Sequence, residues 1–344
     1  MKAAVTTGEK GQITVKEIPK PEVQAGQLLL KTRYCSICGS DLEYITGVIP
    51  YGESYLHEGT IMGHEFSAEV VAVGQGVDGW SVGERGTINS APRVCGSCYY
   101  CRRGLYRLCI GGANSPRGWD PMNGAMAEYF VMNPNGVPGL LKVPEGVSDE
   151  EATLVEPLAN GVASVENAGL KPGDSVTIIG AGKIGLGAML CAKLAGATLV
   201  IVIDIRKSRL DKALEMGADV VLNPTEVDVV PEVLKLTEVG TDAVLVCVRE
   251  SDVLDQAAKM VRRGGTIIVT GVLRPCKVTP HLWLRKNLTL KSHYSGSCTT
   301  SLRLIAHKKI DVKPMISAVM PLEDVQEAFD SMLSGKNIVV LLKP

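Results

Sequence analysis

Apolar and polar positions change their spacing along the chain and divide it into three parts. Up to about residue 150, short β-rich segments such as ITVKEI and SAEVVAVG are separated by Gly and Pro, which predicts strands joined by turns. From about residue 151, apolar segments such as SVTIIG and LVIVID alternate with helical ones such as KIGLGAMLCAKLAG. This alternation predicts a doubly wound α/β domain around a parallel sheet. After about residue 288 the pattern is mixed, so we expect the C-terminal part to fold back onto the β-rich part.

Length and charge narrow the possible functions. The 344 residues are too many for one compact core and predict two domains of roughly 100–200 residues each. A net charge of −1 offers no basic excess for phosphates and argues against nucleic acid as a partner. No apolar run approaches the roughly 18 residues of a membrane span, so no membrane partner is expected. The start, MKAAVTTGEK, has no apolar signal region, and we therefore expect a cytoplasmic protein with reduced thiols.

A glycine-rich motif, GAGKIG at residues 180–185, predicts a dinucleotide site because it follows an apolar strand and opens a helix. Gly180 permits a tight turn, Gly182 lets the backbone approach a pyrophosphate, and Gly185 lets the helix pack closely on the strand. The helix N-terminus would supply N–H groups to the phosphates. A glycine turn without a ligand is the alternative, and the context of strand and helix argues against it.

An acidic residue, Asp204, ends the following strand about 20 residues after the motif. At this place a carboxylate binds the ribose hydroxyls and repels a 2′-phosphate, so we expect NAD rather than NADP. Arg206, Lys207 and Arg209 follow closely and would weaken that preference.

Two short motifs in the first part, CGSD and GHE, combine a thiol, an imidazole and a carboxylate. Zinc takes sulfur, nitrogen and oxygen ligands, and a catalytic zinc keeps one position open. Each of these residues also has an ordinary interpretation when it is considered alone: Cys38 as a buried cysteine, His64 as a core histidine and Glu65 as a surface glutamate. The dinucleotide motif downstream favours a catalytic zinc site, since hydride chemistry requires a partner site.

A cluster of cysteines lies in CGSCYYCRRGLYRLC. Disulfides would need an oxidising compartment, and a nucleic-acid finger would need histidines that this segment lacks. The spacing instead allows four thiolates to bind one closed, structural zinc: Cys95, Cys98, Cys101 and Cys109. The other cysteines are interpreted as ordinary small apolar residues: Cys35, Cys191, Cys247, Cys276 and Cys298.

Taken in order, CGSD, GHE, the spaced cysteines, VEPLA and GAGKIG resemble the zinc-dependent medium-chain alcohol and polyol dehydrogenases. The resemblance is greatest to the sorbitol, butanediol and threonine dehydrogenase branch and covers essentially the whole chain. It implies a GroES-like domain at residues 1–153, with a structural zinc lobe at about 93–112. It further implies a Rossmann domain at 154–288, and a segment at 289–344 that completes the first domain. An active site in the cleft and a homodimer or homotetramer are also implied.

At the positions that match the family's motifs, the resemblance implies that Cys38 and His64 are ligands of the catalytic zinc. Glu65 and Glu156 would be the two carboxylates that share the remaining protein position, and the sequence does not decide which one touches the metal. Ser40 would take the proton of the substrate. Asp41 would accept the other ring N–H of His64 and set its tautomer.

The resemblance also implies further contacts to the cofactor. The matching positions are Ile184, Arg209, Gly271, Val272 and Leu273. Two positions depart from the family. Glu43 stands where related polyol dehydrogenases often carry a histidine, which puts the outer proton relay in doubt. Lys183 replaces a small apolar residue inside the glycine motif; it could reach the pyrophosphate or point to solvent, and the solvent orientation is favoured.

The function expected from these features is an NAD- and zinc-dependent oxidoreductase that interconverts a secondary alcohol and its ketone. The substrate would be a polyol, sugar, cyclitol or amino sugar; the alternative is a small diol or a threonine-like amino alcohol. Residues 44–58 and 114–129 are expected to border a pocket for a hydroxyl-rich ligand. A zinc-free quinone or enone reductase and a non-catalytic dinucleotide-binding protein are the competing functions, and the complete ligand set argues against both.

Overall fold

The computed structural model describes residues 1–48, 58–90, 95–110, 123–135, 139–250, 252–271, 273–293 and 295–344. These residues form two compact units. Unit 1 consists of Met1–Glu156, Ser301–His307 and Ile316–Pro344, and unit 2 of Pro157–Thr300 and Lys308–Met315. No helix in the described ranges has the length and apolar character needed to span a bilayer.

The strands and helices follow the predicted order. The strands are β1 (Lys2–Thr6), β2 (Ile13–Glu17), β3 (Leu28–Ser36), β4 (Glu65–Val73), β5 (Arg85–Asn89), β6 (Tyr129–Met132), β7 (Gly139–Lys142), β8 (Ser175–Ile179), β9 (Leu199–Ile203), β10 (Val220–Leu222), β11 (Thr241–Val246), β12 (Val261–Val269), β13 (Thr289–Ser292), β14 (Ala318–Pro321) and β15 (Val340–Lys343). The helices are α1 (Gly39–Thr46), α2 (Asp149–Thr153), α3 (Val155–Ala168), α4 (Lys183–Leu194), α5 (Lys207–Glu215), α6 (Val229–Thr237), α7 (Val253–Met260), α8 (Pro280–Lys286), α9 (Cys298–Ala306) and α10 (Val325–Leu333).

Unit 1 contains a mostly antiparallel sheet in the order β14-β15-β3-β4-β5-β7, and β6 also pairs with β3. The last strand of the chain, β15, pairs with β3 through Leu341 opposite Ser36. The C-terminal strands therefore complete the sheet of unit 1. All three phenylalanines of the chain, Phe66, Phe130 and Phe329, are buried in its core. The rings of Phe66 and Phe130 meet edge to face at 4.8 Å between centroids.

Unit 2 contains a six-stranded sheet in the order β10-β9-β8-β11-β12-β13. Every pairing in it is parallel. This order is that of the Rossmann fold, with the switch point between β8 and β11. The central strands are almost entirely apolar because helices cover both faces of such a sheet. The α/β fold class, with a GroES-like part and a Rossmann part, is confirmed.

The predicted domain boundaries differ from the two units in several places. Lys308–Met315, expected to complete the first domain, belongs to unit 2. The segment expected to complete the first domain begins at residue 289, but β13 pairs with β12 in the parallel sheet. Residues 289–300 therefore lie in unit 2, and unit 1 also reaches Glu156 rather than residue 153. The reason is that β13 is a short, exposed edge strand whose residues carry no buried-strand pattern, so only its backbone pairing reveals where it lies.

Candidate metal centres and dinucleotide site

Cys38 is placed by the start of helix α1. The chain leaves β3 at Ser36, and Cys38 occupies the capping position before the helix. The backbone N–H of Cys38 donates to Oδ2 of Asp41 at 2.9 Å. Asp41 is 2% exposed, so this bond is protected from water. The CGSD motif thus uses its aspartate to hold the cysteine at the helix N-terminus.

His64 and Glu65 are placed by the start of β4, where Glu65 pairs with Ser36 of β3. The preceding Gly63 has φ +100°, and a Cβ atom there would lie 2.6 Å from Sγ of Cys35. Only glycine fits this turn. As a result, one ligand atom from each of Cys38, His64 and Glu65 lies within 4.8 Å of the others.

Acidic groups surround this cluster. Burial is the largest single influence and acts to lower the pKa of His64, but Cys38, Asp41 and Glu156 together outweigh it and raise the pKa of His64 well above its usual value. Oδ1 of Asp41 lies 3.7 Å from Nδ1 of His64, an ion-pair separation rather than a hydrogen bond. The predicted N–H contact between these two groups therefore stays a prediction.

The donor set fits zinc. Sulfur, nitrogen and carboxylate oxygen converge, and two of the three donors, the thiol and the carboxyl group, bind zinc as anions. Glu156, at the start of α3, is buried and acts on the charge of His64, but it is outside the group of three. Ser40 is half-buried in the first turn of α1, and Glu43 is buried one turn later. The assignments of these residues stay predictions.

The four clustered cysteines form a second group, whose sulfur atoms all lie within 4.8 Å of one another. Cys95–Cys101 and Cys98–Cys109 sulfur distances are 3.9 Å, and that of Cys98–Cys101 is 3.4 Å. A zinc tetrahedron with bonds of about 2.3 Å has sulfur–sulfur edges of about 3.8 Å. All ten cysteines of the chain are free thiols. The geometry therefore fits a four-thiolate zinc site.

The pKa values of Cys98 and Cys101 favour a bound cation in this group of four cysteines. The backbone N–H of Cys101 donates to the sulfur of Cys98 and lowers the pKa of Cys98 to about 5. Burial and the neighbouring thiols raise the pKa of Cys101 to about 12. Four thiols this close cannot all ionise without a positive charge among them, and a divalent metal ion supplies it.

The glycine motif forms the turn between β8 and α4. Gly180 has φ +101°, and Gly182 is the capping residue before α4. A Cβ atom on Gly185 would lie 1.8 Å from the carbonyl oxygen of Gly180, so this helix position excludes any side chain. The N–H groups at the start of the 12-residue helix α4 belong to this turn, as expected for a pyrophosphate site.

Asp204 is tied to the same turn. Its Oδ2 accepts the N–H of Ala181 at 2.8 Å, and its Oδ1 accepts the N–H of Arg206 at 2.9 Å. Nη1 of Arg209 lies 3.8 Å from Oδ2. Burial lowers the pKa of Arg209, although Asp204 acts in the opposite direction. Asp204 therefore joins the loops after β8 and β9, in addition to any contact with a ribose.

For the other residues singled out from the sequence, the structure agrees with some of the predicted environments and differs from others. Lys183 is 7% exposed, so the solvent orientation favoured for it is wrong; it is buried as the first residue of α4. Cys276 is exposed and is not a buried apolar residue. Ile184 and Leu273 are half-buried, and Gly271 follows β12. Val272 lies outside the described residues, as do most of the two stretches expected to border the substrate pocket.

One cluster of polar side chains, around His293, has no signature in the sequence. Nε2 of His293 lies 3.0 Å from Oγ of Ser164 and 3.3 Å from Oγ1 of Thr270. The three residues come from separate elements and form no motif. Only their positions beside an apolar helix and two strand ends could have drawn attention to them.

Two family models match the chain. The model described as "Alcohol dehydrogenase GroES-like domain" matches residues 24–145, and "Zinc-binding dehydrogenase" matches residues 184–309. The first range contains both groups of predicted zinc ligands except Glu156. The second contains Asp204 and all of α5.

Known proteins resemble the chain over nearly its full length. Sorbitol dehydrogenase from Bacillus subtilis is 31% identical, over 98% of this chain and 95% of the relative. L-Threonine 3-dehydrogenase from Pyrococcus horikoshii is 36% identical, over 98% of this chain and 96% of the relative. The structure of a Sinorhizobium meliloti 1021 protein with NADP bound has a TM-score of 0.87 and 28% identity, and covers 100% of this chain and 99% of its own.

The two metal centres predict different zinc release. We expect two zinc ions per chain, of which a mild chelator removes only the one held by the three-residue group, because that group leaves an open position. Cys101→Ser should lower the unfolding temperature, since a structural zinc contributes free energy of folding. Elemental analysis and thermal unfolding provide the measurements. Cys276→Ser, at an exposed cysteine outside both groups, is the control; one zinc or none in replete protein would refute the two-site assignment.

Asp204 should determine the choice of cofactor. Asp204→Asn removes the negative charge but keeps an oxygen that can accept a backbone N–H, so the NADP/NAD ratio of kcat/KM should rise about tenfold, because charge repulsion at close range is worth on the order of 1 kcal/mol or more. Glu215→Gln, an exposed acidic residue at the end of α5 that pairs with Lys212, is the matched control and should leave the ratio unchanged. A wild-type enzyme that already prefers NADP would contradict the proposed role of the carboxylate.

Proposed function

The chain belongs to the zinc-dependent medium-chain alcohol dehydrogenase family, and from that premise we propose that it interconverts a secondary alcohol and its ketone with NAD as hydride acceptor. It is an alcohol or polyol oxidoreductase, and zinc and NAD(H) are the cofactors expected of the family. The observation that carries the proposal is the convergence of Cys38, His64 and Glu65 within 4.8 Å. A zinc-free reductase would have no use for such a group.

In this proposal Cys38 and His64 hold the catalytic zinc, and Glu65 and Glu156 supply the carboxylate. Zinc there would polarise the alcohol oxygen and lower its pKa. The Glu65 carboxylate is fully buried beside Cys38, which supports Glu65 as the resting ligand. Glu156, whose charge reaches His64, would then orient water or substrate.

The proton of the alcohol would leave through Ser40. Its hydroxyl lies in the first turn of α1, two residues after Cys38, and can accept one proton while passing on another. Asp41 keeps Cys38 in place through its backbone and balances the charge of His64. Glu43, buried in the same helix, stands where related enzymes often have a histidine and would serve the outer end of this path.

The dinucleotide would lie on the glycine turn, with its pyrophosphate at the start of α4 and its ribose hydroxyls on Asp204. NAD bound at this site would supply the acceptor for the hydride of the carbinol carbon. Asp204 keeps acceptor capacity for a hydroxyl, since each carboxylate oxygen has two lone pairs and accepts one backbone N–H. This supports NAD, although the similar Sinorhizobium meliloti protein carries NADP.

The proposed substrate is a polyol, sugar, cyclitol or amino sugar. The name of the sorbitol dehydrogenase relative supports the polyol. The name of the threonine dehydrogenase relative favours a second candidate, a small diol or amino alcohol. We further propose a cytoplasmic homodimer or homotetramer; the ten free cysteines are consistent with a reducing compartment.

A substrate panel tests the proposed function. Zinc-replete protein is incubated with NAD and with polyols, cyclitols, amino sugars, small diols and threonine, and formation of NADH is followed by absorbance. We expect NAD reduction with at least one secondary alcohol, and its loss after removal of the exchangeable zinc. Reduction of enones or quinones by apo-protein, without any oxidation of alcohols, would overturn the proposal in favour of a zinc-free reductase.

Substitutions of Glu65 and Glu156 should distinguish the roles of the two carboxylates. Glu65→Ala should release zinc more readily, whereas Glu156→Ala should keep the metal and lose rate by roughly 10–100-fold. Zinc occupancy and kcat are measured for both variants and for the double variant. If the carboxylates alternate on the metal, each single variant stays partly loaded and only the double variant loses zinc. Exposed Glu145→Ala is the control; full activity in both single variants would remove both glutamates from the site.

A further inference from the structure

Three polar side chains from three separate elements meet in unit 2. Ser164 lies in α3, Thr270 directly follows β12, and His293 directly follows β13. Oγ of Ser164 lies 2.9 Å from Oγ1 of Thr270 and 3.0 Å from Nε2 of His293. Oγ1 of Thr270 lies 3.3 Å from the same nitrogen. We call this group the Ser164–Thr270–His293 cluster.

The cluster is a specific hydrogen-bonded arrangement. Ser164 is fully buried, and its hydroxyl can donate to the carbonyl oxygen of Asn160 at 2.9 Å. The Ser164 oxygen is then available to accept from its two neighbours in the cluster. Leaving a buried hydroxyl without such partners is costly, which favours one arrangement of these groups over others.

The backbone beside the cluster is also held tightly. The N–H groups of Thr270 and Gly271 donate to the carbonyl oxygen of Val246 at 3.0 and 3.2 Å. A Cβ atom on Gly271 would lie 2.0 Å from the carbonyl oxygen of Val248. Thr270 and Gly271 are therefore fixed to β11 by their backbone, and to α3 and β13 by the side chain of Thr270.

The place of the cluster in the sheet suggests what it serves. Thr270 and His293 lie at the carboxyl ends of parallel strands, where ligands bind in open α/β sheets. The ribose residue Asp204 follows β9 and the pyrophosphate turn follows β8, so the adenosine half belongs to that side of the switch point. The nicotinamide half would then lie at the carboxyl ends of β11, β12 and β13.

We propose that His293, together with Ser164, is a positioning residue that holds Thr270 and Gly271 in the conformation that receives the nicotinamide half of the dinucleotide. The inference rests on the proposed function of the dinucleotide site. It makes His293 act through Thr270 rather than through contact with the reacting atoms.

The test compares NADH with ADP-ribose, which keeps the adenosine and both phosphates but lacks the nicotinamide ring. The dissociation constants of both ligands are measured by titration for His293→Leu and Thr270→Val in the full chain. We expect the constant for NADH to rise about 5–10-fold in each variant, as for the loss of one or two hydrogen bonds, while that for ADP-ribose stays unchanged.

Two conservative variants and a control substitution at another histidine complete the experiment. His293→Gln and Thr270→Ser keep a polar group at each position and should restore most of the NADH affinity. His281→Leu removes an exposed histidine from α8 and should change neither constant. Thermal unfolding identifies any variant that fails to fold, and Thr270→Val, which removes only a hydroxyl, then carries the test.

The outcomes separate the inference from the function on which it rests. Loss of NADH affinity alone supports the inference. Equal losses for NADH and ADP-ribose would show that the cluster merely supports the sheet and would overturn it, as would unchanged affinity for NADH. If wild-type protein binds neither ligand, the dinucleotide site itself is wrong and the inference falls with it.

Discussion

Antiparallel pairing of β3 with β4 is the constraint on which the proposed catalytic centre depends. The last residue of β3, Ser36, lies opposite the first residue of β4, Glu65. The chain enters α1 through Cys38 just after β3, and His64 directly precedes β4. Sulfur, imidazole and carboxylate groups therefore meet although they come from separate parts of the sequence. A shift of this pairing by one residue would turn Glu65 to the other face of the sheet and remove its oxygen from the group.

Both candidate metal centres bring together side chains that bind a metal ion as anions. Burial acts to lower the pKa of the His64 imidazole, and Cys38, Asp41 and Glu156 together raise it above its usual value. The buried Glu65 carboxylate lies in the same group. In the other group, an acidic Cys98 lies beside a Cys101 that burial keeps protonated. Anionic ligands this close together repel one another, so a bound cation would stabilise each group. The same physics thus supports a zinc ion in each centre.

The dinucleotide site depends instead on the backbone. Gly180 and Gly185 permit a turn that no side chain could share, and Asp204 ties that turn to the loop after β9. One carboxylate therefore serves both the shape of the site and, in the proposed function, recognition of the ribose. On the opposite side of the switch point, the Ser164–Thr270–His293 cluster joins a helix to two strand ends. Each half of the site thus has its own polar anchor.

The sequence by itself determined the features whose chemistry is local. The alternation of strands and helices, the glycine turn and the four closely spaced cysteines all depend on neighbouring residues, so the doubly wound fold and the four-thiolate group could be predicted. Only the tertiary structure decided the burial of Lys183, the exposure of Cys276, the place of β13 in the parallel sheet and the meeting of His293 with Ser164. These outcomes depend on strand register and helix packing between residues far apart in the chain, which local propensity does not encode.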